Sequence, residues 1–496
     1  MKICLSTYRR GVKFNFPEGI IMKILYVASE AAPYAASGGL GDVMGALPKS
    51  IVENNPTADV SVIVPLYDTV RNKYSADLEK VVDLDFRYSW RNTGATVYKL
   101  INNGVTYYFV ENHYYFERGR LYGEFDDAER FAFFSTAVIE FILATGNIPD
   151  ILHANDWQTA LTVVYLKTEY AHISSLRGIK TVYTIHNIEY QGKFDPYILG
   201  DVFSLDRKYY GIVEFDNCIN LMKGALVTTD YITTVSPNYA RELQYPFYAF
   251  GLQGIIAENA HKIDGVINGI DYSYFSPDKG GEIDFPFTKR TVKSGKAKNK
   301  KAICEELGLD TSADIPLAVM ITRLASQKGI DLFLHVAEEM LSKKIQIVVL
   351  GTGEKDYEDA LRSLEARHSN LRSLIKFDRV ISKRLYASAD LFLMPSKFEP
   401  CGLAQMISCS YGTIPVVRAT GGLYDTITPY GLENSNGFNF SNYNAHDFLY
   451  AVERALVVYD DEKEWSELRK RAMNCDFTWK SSAAKYMQIY NNLLNW

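Results

Sequence analysis

Two stretches in the second half of the chain hold charges that a departing anion would need. Arg323-Leu324-Ala325-Ser326-Gln327-Lys328-Gly329 follows an apolar run at 317–321 that reads as a buried strand. In open α/β sheets, ligands sit beyond the carboxyl ends of strands. An arginine can grip a diphosphate with two parallel bonds and a lysine adds a compact charge beside it, so the pair suits a leaving diphosphate better than two solvated loop cations. Pro395-Ser396-Lys397-Phe398-Glu399-Pro400-Cys401-Gly402-Leu403 follows another such run, at 391–394. Pro400 suits the opening of a helix whose free N–H groups receive a phosphate. Glu399 is placed either to accept from sugar hydroxyls or simply to stabilise that helix end.

Glycines mark the other candidate contacts. Ser37-Gly38-Gly39-Leu40-Gly41-Asp42-Val43 lies between a first strand and a helix predicted from about Asp42 through Ala46. The backbone there can approach a phosphate closely, or merely turn tightly. Gly421-Gly422-Leu423 is a second turn of the same kind. His186-Asn187 ends the run 181–184, where a histidine can hydrogen-bond a sugar or serve structure alone. Asp156-Trp157 puts a carboxylate beside an indole that could stack on a sugar ring; the alternatives are a helix cap and core packing.

The elements that must position these residues alternate. Apolar runs at 24–28, 60–64, 151–154, 181–184, 232–235, 317–321, 345–350 and 391–394 are interleaved with amphipathic segments such as 331–341 and 360–366. That pattern predicts doubly wound parallel sheets. A length of 496 residues exceeds one ordinary core, so two domains are expected, with a boundary near 262–271. The basic cluster 289–301 is expected as a solvated loop leading into a helix, and 477–496 as an amphipathic helix with Tyr486, Ile489, Tyr490, Leu493 and Leu494 on one side.

With 47% hydrophobic and 23% charged residues the composition is that of an ordinary soluble protein, and a net charge of −6 disfavours nucleic acid or an anionic membrane as partner. Cys4, Cys218, Cys304, Cys401, Cys409 and Cys475 form no C-x-x-C pair, so reduced thiols in the cytoplasm are expected. Residues 1–21 carry Arg9, Arg10 and Lys13 but no apolar signal core; they read as a non-native or disordered extension, with Met22 expected as the initiator. Among 35 tyrosines, Tyr107, Tyr108, Tyr114, Tyr115 and Tyr122 crowd one stretch; packing accounts for most, and an acceptor surface that includes Tyr114 and Tyr115 is a further expectation.

In this order, Ser37–Val43, Asp156-Trp157, Thr184-Ile185-His186-Asn187, Val235-Ser236-Pro237, Asn268-Gly269-Ile270-Asp271, Arg323–Gly329, Phe398–Leu403 and Thr420-Gly421-Gly422-Leu423 resemble the bacterial glycogen synthase and plant starch synthase family. The resemblance runs from Met22 to Trp496. It implies the α/β GT-B fold: an acceptor-side Rossmann-like domain at 22–263, a donor-side one at 264–475, and a helix at 476–496 crossing back to the first domain. It also implies a retaining transfer of glucose from ADP-glucose to the non-reducing end of an α-1,4-glucan, with no metal or other cofactor. By that resemblance Arg323 and Lys328 hold the diphosphate, and Glu399, His186 and Asn268 meet the glucose. Gly38, Gly39, Asp42, Cys401, Gly402, Leu403, Gly421 and Gly422 complete the donor side, and Phe377 stacks on adenine. Asp156 and Trp157 fall to the acceptor. The family usually has lysine at the position of Ala36, so a cation expected near the donor is missing.

Three rival readings are weaker. Asp83-Leu84-Asp85 matches a metal-holding pattern but lies in an alternating, half-exposed strand. Gly351-Thr352-Gly353 continues Glu354-Lys355-Asp356, not the dinucleotide fingerprint of an oxidoreductase. A glucan-binding protein without activity is raised by Ala36 alone.

Overall fold

The computed structural model describes residues 21–278 and 282–495. The expectation about residues 1–20 lies outside them, as does Trp496. The strands are β1 Lys23–Val27, β2 Asp59–Pro65, β3 Glu79–Tyr88, β4 Arg91–Asn102, β5 Val105–Glu111, β6 Ile151–Asn155, β7 Lys180–Ile185, β8 Lys193–Phe194, β9 Glu214–Phe215, β10 Cys218–Asn220, β11 Tyr231–Thr234 and β12 Ile263–Gly265. The second half adds β13 Leu317–Ile321, β14 Gln346–Leu350, β15 Leu371–Leu374, β16 Leu391–Met394, β17 Ile414–Arg418 and β18 Phe438–Phe440.

The first domain holds a nine-stranded sheet in the order β12-β11-β7-β6-β1-β2-β5-β4-β3. It is parallel except for β4, which runs antiparallel to both β3 and β5. The second domain holds six parallel strands in the order β15-β14-β13-β16-β17-β18. Fully buried Val, Ile and Leu side chains line β13 and β14, as two-sided cover by helices requires. Strand order reverses at β1 in the first sheet and at β13 in the second, which is where crevices open in such sheets. The candidate loops leave the carboxyl ends of β1, β6, β7, β13 and β16.

Strand β12 joins the first sheet by pairing with β11. Two expectations are corrected. Residues 289–301 do not form a solvated loop: the helix Val292–Leu307 takes in most of them, and two of its lysines are buried. Lys296 Nζ donates to the carbonyls of Tyr386 and Tyr411 and to Thr413 Oγ1 at 3.1, 3.2 and 2.7 Å, while Lys300 pairs with Asp390 at 2.7 Å. Buried ammonium groups are tolerated because every proton has an oxygen. The helix after the Pro395–Leu403 loop starts at Ala404, not Pro400, because the loop first passes through Gly402 at φ +70°.

The last helix, Trp479–Leu494, returns to the first domain and packs along Gly39–Asn54. Its Tyr490 hydroxyl bonds Tyr26 Oη at 2.8 Å and His153 Nδ1 at 2.7 Å, inside the core beneath β1 and β6.

Candidate active site

On the second-domain side, Lys328 Nζ donates to Glu399 Oε2 at 2.7 Å, and Ser396 Oγ donates to the same oxygen at 3.1 Å. Glu399 is 6% exposed. Among the described residues its Oε1 has no hydrogen-bond donor. The two loops are zipped together by Lys397 N donating to Gln327 O and Gln327 Nε2 donating to Phe398 O, at 2.8 and 3.3 Å. Gly329 makes this approach possible: at φ +74°, an added Cβ would lie 2.1 Å from Pro395 O. Arg323 is exposed and only loosely tethered, Nη2 to Gln327 Oε1 at 3.4 Å, so its guanidinium is free to turn toward a ligand.

The turn Gly421-Gly422 meets the Glu399 loop from behind. Gly422 N donates to the carbonyls of Glu399 and Pro400 at 3.1 and 3.2 Å, and Gly421 N donates to Glu242 from the first domain. Both amides are therefore occupied, and these glycines serve close packing: an added Cβ at Gly421 would lie 1.9 Å from Glu399 O. Cys401 is buried, its thiol pushed up to about 12 by burial, and receives the backbone N–H of Asn268. That contact sets Asn268 against the Glu399 loop, where its buried Oδ1 has no partner. Gly402 and Leu403 complete the loop. A buried acceptor without a donor is costly and marks a place for a hydroxyl.

Across the cleft, Gly38 and Gly39 are exposed, and a Cβ on either would meet nothing within 4 Å. The helix Gly39–Asn54 begins there; Gly41 N is taken by Gly38 O at 3.1 Å, while among the described residues Gly39 N has no acceptor. Sequence reading missed Glu30, which shapes this loop. Its carboxylate accepts from Ser37 N at 2.5 Å, Ser37 Oγ at 2.8 Å, Gly38 N at 3.2 Å and Tyr122 Oη at 2.6 Å. The available signal was a lone acid between the first strand and the glycines. Burial raises the Asp42 carboxyl, and Arg379 of the second domain opposes that shift. Arg379 also lies 5.8 Å from the ring of Phe377, which is 81% exposed. Phe377 and the glycine loop thus share one charged neighbour across the gap.

His186 Nε2 lies 2.9 Å from Asn155 Oδ1, and the Asn155 amide nitrogen donates to Val27 O and His153 O. Asn155 Oδ1 must therefore accept, so His186 carries its proton on Nε2 and offers Nδ1 as an acceptor. Burial pushes the imidazole down to about 3, keeping it neutral. Asp156 does not cap a helix with its side chain. Its Oδ1 receives His186 N at 2.8 Å, and its own backbone sits at φ 57°, ψ 179°, a strained conformation. Burial pushes its carboxyl up to about 7.

Trp157 is wedged between Phe131 and Phe194, with Gly192 against its ring, so packing claims most of the indole. Tyr114 is 65% exposed. Tyr115, by contrast, is 4% exposed, its ring tilted against Phe133 at 4.6 Å and its hydroxyl donating to Glu129, so it is packed in the core. Asp83 is exposed and paired with Lys80 and Thr96, and among the described residues no cluster of three His, Cys, Asp or Glu is placed to hold a metal.

Paired Rossmann-like domains, with a cation–carboxylate pair on one side of the cleft and an open glycine loop on the other, define a glycosyltransferase. The family model of the starch synthase catalytic domain matches residues 23–258, and that of glycosyl transferases group 1 matches 309–472. The glycogen synthase of Clostridium beijerinckii is 43% identical, over 95% of this chain and 99% of that protein. That of Streptococcus mutans is 43% identical over 95% and 100%. Among solved structures, the catalytic domain of starch synthase IV from Arabidopsis thaliana, bound to ADP and acarbose, aligns with a TM-score of 0.88 and 33% identity, covering 96% of this chain and 100% of that one. A sucrose-phosphate synthase from Thermosynechococcus elongatus, at TM-score 0.60 and 15% identity over 96% and 99%, shares the fold alone. The chain belongs to the glycogen synthase and starch synthase family.

Proposed function

We propose that the chain transfers glucose from ADP-glucose to the non-reducing end of an α-1,4-glucan with retention of configuration, releasing ADP. The observation that supports this most directly is the buried Lys328–Glu399 pair at the carboxyl ends of β13 and β16. Arg323 and Lys328 would neutralise the charge that grows on the diphosphate as the C1–O bond breaks. The free amide of Gly39 would approach the same phosphates, and Phe377 would cover the adenine. Glu399 Oε1, Asn268 Oδ1 and His186 Nδ1 are three acceptors suited to hydroxyls of the transferring glucose. The acceptor hydroxyl would attack C1 on the face the diphosphate leaves, its proton passing to a phosphate oxygen. Tyr114, exposed on the first domain, is retained as an acceptor contact.

No described helix is long and apolar enough to cross a membrane. The described cysteines are unpaired, which supports a cytoplasmic location. Incubation of the purified protein with glycogen and labelled ADP-glucose or UDP-glucose tests the activity and the donor together. Incorporation from ADP-glucose is expected. Glycogen binding without incorporation would overturn the reading, and equal use of both donors would overturn the assignment of adenine.

A further inference from the structure

The two domains touch through a pair of short helices, Pro237–Glu242 in the first and Gly421–Thr426 in the second. Each helix supplies an acid to the start of the other. Asp425 Oδ2 accepts from Ser236 Oγ at 2.7 Å and Asn238 N at 2.8 Å. Glu242, 9% exposed, accepts from Gly421 N with both carboxylate oxygens at 3.0 Å and from Thr420 Oγ1 at 3.0 Å. Asn238 Nδ2 steadies the same carboxylate at 2.9 Å. The two halves of this exchange differ in what lies behind them. Behind Asp425 is the helix it caps, whose Tyr239 hydroxyl accepts from Ile188 N at 3.2 Å. Behind Glu242 is the turn whose next amide, Gly422 N, donates to Glu399 O at 3.1 Å. That turn packs so closely on Glu399 that no side chain fits at Gly421.

We propose that Glu242 is a positioning residue for glucosyl transfer: from the opposite domain it fixes the Thr420–Gly422 turn, and the turn fixes the backbone of Glu399. This rests on Glu399 acting in the transfer as proposed above. A shift of about 1 Å at a reacting group can cost on the order of 100-fold in rate. Glu242→Ala is therefore expected to lower kcat by about 30-fold or more, with the KM for ADP-glucose changed less than about threefold, because Arg323 and Phe377, the proposed diphosphate and adenine contacts, do not bond the turn. Glu242→Gln keeps an oxygen for Gly421 N and is expected to retain at least about a third of kcat. Asp425→Asn loosens the same interface while keeping the bonds made by Gly421 N and Gly422 N, so its kcat should stay within about twofold while its Tm falls. Wild-type kcat in Glu242→Ala would overturn the proposal. An equal loss in Asp425→Asn would overturn it too, since domain contact in general would then be responsible. If Glu242→Ala does not fold, Glu242→Asp, one methylene short, carries the test, and wild-type kcat there refutes it. An inactive wild-type enzyme would instead refute the assigned function.

Discussion

Replacing Lys328 by methionine removes a charge that pairs with Glu399 in the free protein and that, on the proposed function, meets the leaving diphosphate during reaction. At 2.7 Å, with side chains 16% and 8% exposed, the pair attracts by roughly 6 kcal/mol at an effective dielectric constant of about 20, before desolvation is subtracted. Breaking such a pair from one side costs about 3 kcal/mol or more, because a buried carboxylate is left with one hydroxyl, Ser396 Oγ at 3.1 Å. Adding Glu399→Gln removes the stranded charge, so Lys328→Met/Glu399→Gln should regain most of the lost stability in urea unfolding. Activity should behave differently. Loss of a cation at the developing charge is expected to cost at least about 100-fold in kcat/KM, and the double variant should recover none of it. Urea titration and glucose incorporation on the same four proteins separate the two effects. If Lys328→Met unfolds within about 0.5 kcal/mol of wild type, the pair is not sustaining the loop. If kcat/KM falls less than about tenfold, the lysine is not on the reacting charge.

The Asp156 carboxyl, held up near 7 by burial, binds a proton in the folded state over a range where the unfolded chain has released it, so stability should decline as pH rises from about 4 to about 7. Asp156→Asn should flatten that part of the Tm-against-pH curve; an unchanged slope would show that the group is ionised throughout. Gly329→Ala forces a side chain against Pro395 O at φ +74° and should destabilise by about 2 kcal/mol or more, read by thermal unfolding, while lowering kcat by displacing the Lys328 loop. Ala36→Lys restores a cation beside a loop whose nearest acid is Glu30, and should lower the KM for ADP-glucose about threefold to tenfold in initial-rate assays.

Much of the scaffold was legible because parallel strands buried on both faces leave uninterrupted apolar runs. The runs at 317–321 and 391–394 coincide with β13 and β16. Where strands meet solvent or contain proline the signal weakens, as for β4 and for β17 with its Pro415. The glycine turns at Gly38-Gly39 and Gly421-Gly422 were readable as turns opening helices, since local turn chemistry shows in local sequence. Residues whose role depends on distant partners were not. Lys296 and Lys300 read as solvated because nothing nearby in sequence reveals the oxygens that enclose them. Glu242 lies 179 positions from the amide it holds. Tyr115 and Tyr114 are adjacent in sequence but opposite in exposure, a distinction set by Phe133.

The bond from Tyr26 to Tyr490 spans 464 positions and lies inside the first domain. The last helix must therefore be synthesised before that domain can close its polar core. Until then the pocket around His153 stands open in the nascent chain, and a product that stops short of the last helix leaves it unsealed. Maturation of the N-terminal half thus waits on residues 479–494.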